Sequence, residues 1–271
     1  MARYDVDALD NRTPEAVARY LRLIEAVVMR WHPHRVTGLE HIPKGPALFV
    51  GNHNAGLWTP DSYLLYQALY RAGGIDALPY GLAHEVILRN SPFNEILCPV
   101  GVVRAHRDNA MRIFARGDKA LVYPGGDLDG MRPFRRRNEV VFGNRRGYIR
   151  LALEAGVPIV PVVSAGAHAI YIVLDDLQGL ANTLRLDRFF RLKVMPLTLS
   201  FPLGLTLGPL FPFIPWPTRI LVEVGEPITF ARTGPEAAAD EAYVAACAAE
   251  VQGRMQAALT RLADERRMGA R

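Results

Sequence analysis

Two stretches of the chain hold residue types that could do chemistry. In VGNHNAGLWTPDS an apolar run delivers Asn52 and His53 into a Gly/Pro-punctuated loop, and Asp61 opens the next periodic segment. Imidazole titrates near neutrality, so a histidine at a strand end can take a proton as a general base. A carboxylate on its other ring nitrogen would fix the tautomer and stabilise the imidazolium. Asp61 is available for that role, and its charge is favourable at a helix start in any case. The competing reading is structural, with His53 capping a turn and Asp61 capping a helix.

The second stretch is LVYPGGDLDGMRPFRRR. A turn with Gly125 and Gly126 leaves backbone amides uncovered by side chains, a cradle for an anion. Arg132, Arg135, Arg136 and Arg137 follow, and Arg104 and Arg107 come from a neighbouring segment. Guanidinium forks suit phosphate geometry. Asn52, Arg104, Arg107, Gly125, Gly126, Asp127, Arg132 and Arg135 are therefore the expected substrate-binding residues. For any single arginine, a solvated basic face is the competing reading.

The elements that must position these groups alternate in type. Strand-like runs recur at RVTGLEHIP, PALFVGNH, CPVGVVRA, KALVYP, PIVPVVSAG and RILVEVG, with helical periodicity at RDNAMRIFARG and NRRGYIRLALEAG. That alternation predicts an α/β fold, a single layered domain with a central, mostly parallel sheet flanked by helices. Thr13 and Pro14 open an amphipathic N-terminal helix with apolar Val17, Tyr20, Leu21, Ile24, Val28 and Trp31, so residues 1–34 form a helical region ahead of a domain over 35–271. The helix either packs on its own protein or lies in a membrane interface. An alanine-rich closing helix runs from Pro235 to Arg267, with a break expected at Gly253. The stretch between Lys193 and Arg219 holds no charge but six prolines, which exclude a continuous membrane-spanning helix. It is expected to be a buried loop or an apolar lip dipping among lipid headgroups.

Composition narrows the class. The chain is 50% hydrophobic and 22% charged with a net charge of +5, a globular profile that favours an anionic partner. Two distant cysteines fit neither a disulfide framework nor a zinc site. The first residues show no apolar leader, so a cytoplasmic-side protein is expected. The arginine cluster lacks interleaved stacking aromatics, which argues against a nucleic-acid partner.

A strand ending in Asn52-His53 before a loop and an aspartate resembles the first motif of the glycerolipid acyltransferases of the lysophosphatidic acid acyltransferase type, in a divergent branch. Their usual spacing is His-x4-Asp; here Trp58 stands at that offset and Asp61 lies three residues on. Gly101 and Arg107 match the family's second block. Tyr123, Pro124 and Gly126 match the third, where Gly125 replaces a glutamate associated with acceptor binding, a role Asp127 or Glu139 would have to take over. Val157 to Val162 resembles the fourth. The blocks span roughly residues 35 to 165, about half the chain.

The resemblance implies a peripheral enzyme on the cytoplasmic face of an anionic membrane. There an acyl group would move from acyl-CoA or acyl carrier protein to a glycerolipid hydroxyl, with His53 as base, and neither metal nor cofactor is implied. Two alternatives remain open. GGDLDGM resembles the phosphoaspartyl motif of haloacid-dehalogenase phosphatases, with Asp127 as nucleophile and Asp129 as acid. The same fold could also serve a lipid-binding protein without catalysis.

Overall fold

Leu48, Phe49 and Val50 belong to an unbroken apolar run, and the strand they make, β2 (Ala47–Gly51), is buried at all five positions. Such a run fits a strand covered on both faces. In the computed structural model, residues 3–56, 58–179, 194–208 and 213–269 are described. There β2 is the middle strand of a seven-stranded sheet. The other strands are β1 (His34–Thr37), β3 (Tyr80–Ala83), β4 (Val102–Arg104), β5 (Lys119–Val122), β6 (Ile159–Ala165) and β10 (Ile220–Val224). Their order is β1-β10-β6-β2-β5-β3-β4, parallel except where β10 meets β6. β2 is bracketed by parallel partners, β5 and β6, so its C-terminal end opens into a crevice where α/β folds bind ligands.

The flanking helices are α1 (Pro14–Ile24), α2 (Pro60–Gly73), α3 (Glu85–Leu88), α4 (Ser91–Leu97), α5 (Arg107–Ala115), α6 (Gly126–Gly130), α7 (Gly147–Ala155), α8 (Pro235–Ala239) and α9 (Glu241–Met268). Two apolar clusters line the sheet. One joins Leu48, Val50, Ile113, Ile149, Leu153, Val251 and Leu259; the other joins Phe49, Leu64, Leu65, Leu21, Ile24 and Val222. The expected α/β layering is what the chain adopts.

Thr13 caps α1, its side chain accepting from the Ala16 amide, and Pro14 stands at the first turn. Val17, Leu21, Ile24 and Val28 are buried, while Leu23, Val27 and Trp31 are exposed on the helix and the π-turn that continues it (Glu25–Met29). The closing helix differs from expectation. It breaks at Asp240, whose side chain caps α9 by accepting from Tyr243 N, and α9 runs through Gly253 without interruption. The uncharged stretch is not a buried loop: β8 (Leu197–Ser200) and β9 (Gly204–Leu207) pair with β7 (Ile172–Asp175) in a small antiparallel sheet with exposed apolar side chains. Residues 209–212 of that stretch lie outside the described residues. Among the described residues no helix is long and apolar enough to cross a membrane.

Candidate active site

β2 ends at Gly51 and feeds Asn52, His53 and Asn54 into a loop whose backbone is held at almost every polar atom. Asn52 extends the sheet with its side chain: Nδ2 donates to Ser164 O at 3.0 Å, and Oδ1 accepts from Ser164 N at 2.8 Å, at the end of β6. The amide of His53 donates to Asp129 Oδ2 at 2.5 Å. The carbonyl of His53 accepts from Arg132 Nη1 at 2.7 Å. Asn54 Oδ1 accepts from Arg132 Nη2 at 2.8 Å, and its Nδ2 donates to Asp61 Oδ2 at 2.8 Å. Further along, Ala55 and Gly56 both take positive φ, and the Gly56 amide donates to Gly130 O at 3.0 Å.

Arg132 is the hub. It is fully buried, and besides the His53 and Asn54 oxygens it donates to the carbonyls of Arg136 and Arg137 and to Asp129. Asp129, also fully buried, accepts from Val141 N at 3.0 Å. A buried ion pair holds only when hydrogen bonds satisfy the remaining donors and acceptors, and here they do. Burial raises the Asp129 carboxyl to about 6, opposed by Arg132. His168 closes the network from beyond β6. Its Nδ1 accepts from Ala55 N at 3.5 Å, so the proton sits on Nε2, which donates to Arg132 O at 2.7 Å. Burial holds its pKa well below the ordinary value, so it is neutral.

The imidazole of His53 is left out of this clamp. It packs against the ring of Tyr123, centroids 5.1 Å apart, and Tyr123 is fixed by a 2.6 Å hydrogen bond with Ser62 Oγ. Gly51 makes that stacking possible: a Cβ there would lie 2.3 Å from the Tyr123 ring. Gly130 faces the imidazole in the same way, leaving room for no more than a methyl group. Burial lowers the His53 pKa to about 4, with the Arg132 charge adding to the effect. Among the described residues, His53 Nδ1 has no hydrogen-bond partner, and neither does Asp61 Oδ1. Burial raises the Asp61 carboxyl as well. No hydrogen bond joins the two residues directly; Asp61 reaches the histidine segment through Asn54.

The structure brings His53, Asp61, Asn52, Gly125, Gly126, Asp127 and Arg132 to one end of the sheet, but not all as expected. Arg132 and Asn52 are saturated by protein atoms, which corrects their assignment as substrate binders: both hold the loop. Arg104 forks onto Asp7 at 2.9 and 2.6 Å on the far edge strand β4, and Arg107 pairs with Glu154 of α7. Neither reaches His53, so the sequence grouping of these two with the cluster is also corrected. Gly125 packs too tightly against Asp129 Cβ and Val141 O for any side chain, and the Gly126 amide donates to Tyr123 O within the turn. Asp127 pairs with Arg145 at 2.6 Å and its charge is felt at His53. Arg135 is exposed, 3.9 Å from Asp175.

The phosphatase alternative fails here. Asp129, its required acid, is sealed inside with both oxygens bound, one of them by the His53 amide. Sequence reasoning missed Asn54, Tyr123, Ser62 and His168. His168 carried the same signal as His53, a histidine just beyond a buried strand and a glycine.

The Acyltransferase family model matches residues 33–165, from the start of β1 to the end of β6. An uncharacterized protein of Mycobacterium tuberculosis is 29% identical over 97% of this chain and 71% of its own length. A bovine protein named as a DGAT1/2-independent enzyme synthesizing storage lipids is 27% identical over 68% of this chain, which spans 54% of it. The crystal structure of the 1-acyl-sn-glycerophosphate acyltransferase PlsC from Thermotoga maritima shares the fold, with a TM-score of 0.55 at 17% identity, over 92% of this chain and 81% of that one. The ordered sequence blocks, the parallel sheet whose middle strand leads into His53 and the family match converge on one stretch: residues 33–165 form a domain of the Acyltransferase family.

Proposed function

We propose that the protein transfers a fatty acyl group from a thioester, acyl-CoA or acyl carrier protein, to a hydroxyl of a (lyso)glycerolipid at the cytoplasmic face of an anionic membrane. The observation that carries this reading is the division of labour at His53. Its amide and carbonyl are both locked by buried charges, while its ring packs tilted against Tyr123 and makes no hydrogen bond to another side chain among the described residues. A backbone so constrained suits a base that must meet a substrate proton in one fixed place.

Nε2 of His53 removes the proton of the acceptor hydroxyl as its oxygen attacks the thioester carbonyl. The carbon–sulfur bond breaks, the thiolate takes up the proton, and an ester and a free thiol result. No acyl-enzyme is needed, because donor and acceptor occupy one site. The carboxylate assigned to orient this loop is Asp61, whose Oδ1, like the His53 Nδ1, is buried without a hydrogen-bond partner among the described residues, and which is tied to the histidine segment through Asn54. Arg135, exposed and 3.9 Å from Asp175, is a guanidinium available to meet a phosphate.

The test is release of free thiol from long-chain acyl-CoA and acyl carrier protein against a panel of lysophospholipid, glycolipid and diacylglycerol acceptors. Acceptor-dependent release supports the proposal. Its absence with every donor overturns it and leaves a lipid-binding protein on this fold.

A further inference from the structure

The small sheet β7-β8-β9 is built inside out. Leu197 stands opposite Leu207, Leu199 opposite Leu205, and Ile172 opposite Leu199. Opposed residues share a face, so these leucines and Ile172 form one outward surface, with Leu205 61% and Leu207 55% exposed. Asp175, opposite Leu197, stands at its β7 edge, where exposed Arg135 lies 3.9 Å away and offsets its charge. The residues between them point the other way and are largely polar. Thr198 is fully buried, bonded to Thr206 Oγ1 at 2.9 Å and to Gly208 O at 2.9 Å, and Ser200 is buried beside it. An antiparallel sheet with one face in water shows the opposite alternation.

The surface continues beyond the sheet. Phe201 and Leu203 are exposed at the β8–β9 turn, and Trp216 follows. The Trp31 indole donates to Pro215 O at 2.7 Å, which joins this face to the exposed Leu23, Val27 and Trp31 on the first helix. No acidic or basic residue occurs between Lys193 and Arg219, whereas exposed Arg22 and Arg30 stand beside Leu23 and Trp31. Apolar area, interfacial tryptophans and flanking arginines complement a bilayer surface: hydrocarbon for the leucines, anionic headgroups for the guanidinium groups. The sheet also lies next to the site, since Val173 of β7 shares a cluster with Ala55, two residues from His53.

We infer that the outward leucine face of β7-β8-β9, together with Trp31 and Trp216, is the surface by which the protein docks on an anionic lipid bilayer, bringing the His53 loop to the interface where its acceptor resides. This deepens the acyltransferase reading and rests on it for the identity of the acceptor, not for the docking.

The experiment is co-sedimentation with vesicles of phosphatidylglycerol and phosphatidylethanolamine, or of phosphatidylcholine alone, for wild type, the double variant L205S/L207S and the control V86S on α3. Thiol release from short-chain substrates in detergent is measured in parallel. Expected are binding of wild type and V86S to anionic vesicles, at least ten-fold weaker binding of L205S/L207S, and unchanged release in detergent. Should the double variant misfold, acyl-chain-brominated lipids in the same vesicles are expected to quench wild-type tryptophan fluorescence. Equal binding of all three proteins, or no quenching, overturns the inference. So does a wild type that ignores vesicles but dimerises through this face. Vesicle binding with no release from any substrate upholds the docking and overturns the catalytic proposal alone.

Discussion

Arg132, sealed from solvent, donates at 2.7 Å to the backbone carbonyl of His53, while its ion-pair partner Asp129 accepts the His53 amide at 2.5 Å. The charged centre of the protein thus serves the peptide units on either side of one histidine. Removing one member of a buried, hydrogen-bonded pair costs about 3–5 kcal/mol, because the survivor is left charged and unmatched. Arg132→Met is expected to destabilise the fold by that amount in chemical denaturation. Arg132→Lys should fail to rescue it, since a single ammonium cannot replace a planar fork meeting six oxygens. A loss under about 1 kcal/mol would remove the pair from its assigned role.

The pH dependence follows from burial. His53 titrates at about 4 in the folded protein and near 6.5 when unfolded. The unfolded chain therefore binds its proton first, and the stability tied to neutral His53 is present above 6.5 and lost as pH falls toward 4. Neutral His168 acts in the same direction. Asp129, raised to about 6, acts oppositely: its contribution is full below 3.8 and lost as pH rises through 6. Melting temperature measured across pH 4 to 7 should show a smaller acid-side fall in His53→Ala than in wild type. The acid limb of kcat/KM, which reports the free enzyme, is expected well below pH 6.5; a limb at or above 6.5 contradicts a desolvated base.

Two glycines around the ring should behave differently. A methyl group at Gly51 would meet the Tyr123 ring at 2.3 Å, and one at Gly130 would rest on the His53 ring at 3.4 Å. Gly51→Ala is therefore expected to cost about 1–3 kcal/mol by overpacking and to lower activity as Tyr123 shifts. Gly130→Ala should stay within about 0.5 kcal/mol of wild type. Denaturation midpoints and steady-state rates for both variants test the contrast.

Much of this was legible in the sequence. The five-residue apolar run ending at Asn52-His53 fixed the central strand and the loop it serves, because a doubly covered strand admits no polar residue until it leaves the sheet. The arginines were not sorted. Arg132 and Arg135 look alike in a basic run, and only the tertiary path decides that one turns inward onto Asp129 while the other remains in solvent. Gly101 and Arg107 match a block by spacing and Arg104 lies between them, yet β4 and the helix after it lie three strands from β2, a separation that no local pattern encodes. The small sheet was hidden because its alternation is inverted and its short strands are flanked by prolines.

That sorting gives a kinetic prediction. Arg104 is held by Asp7 and Arg107 by Glu154, pairs open to solvent and screened by it, so neither is a major source of stability. Alanine at either position is expected to leave KM for the acyl donor within about two-fold of wild type, well short of the ten-fold, about 1.4 kcal/mol, that would mark a lost phosphate contact. A ten-fold rise in KM would return these arginines to the site.

The most direct measurement is acceptor-dependent thiol release by His53→Ala and His53→Gln against wild type, with folding verified by circular dichroism and denaturation. Loss of a general base is expected to lower kcat by at least about 10²-fold at pH 7, with the melting transition retained because the clamp acts on the His53 backbone rather than its ring. Folded His53→Ala that turns over at the wild-type rate would contradict the assignment of His53 as the base.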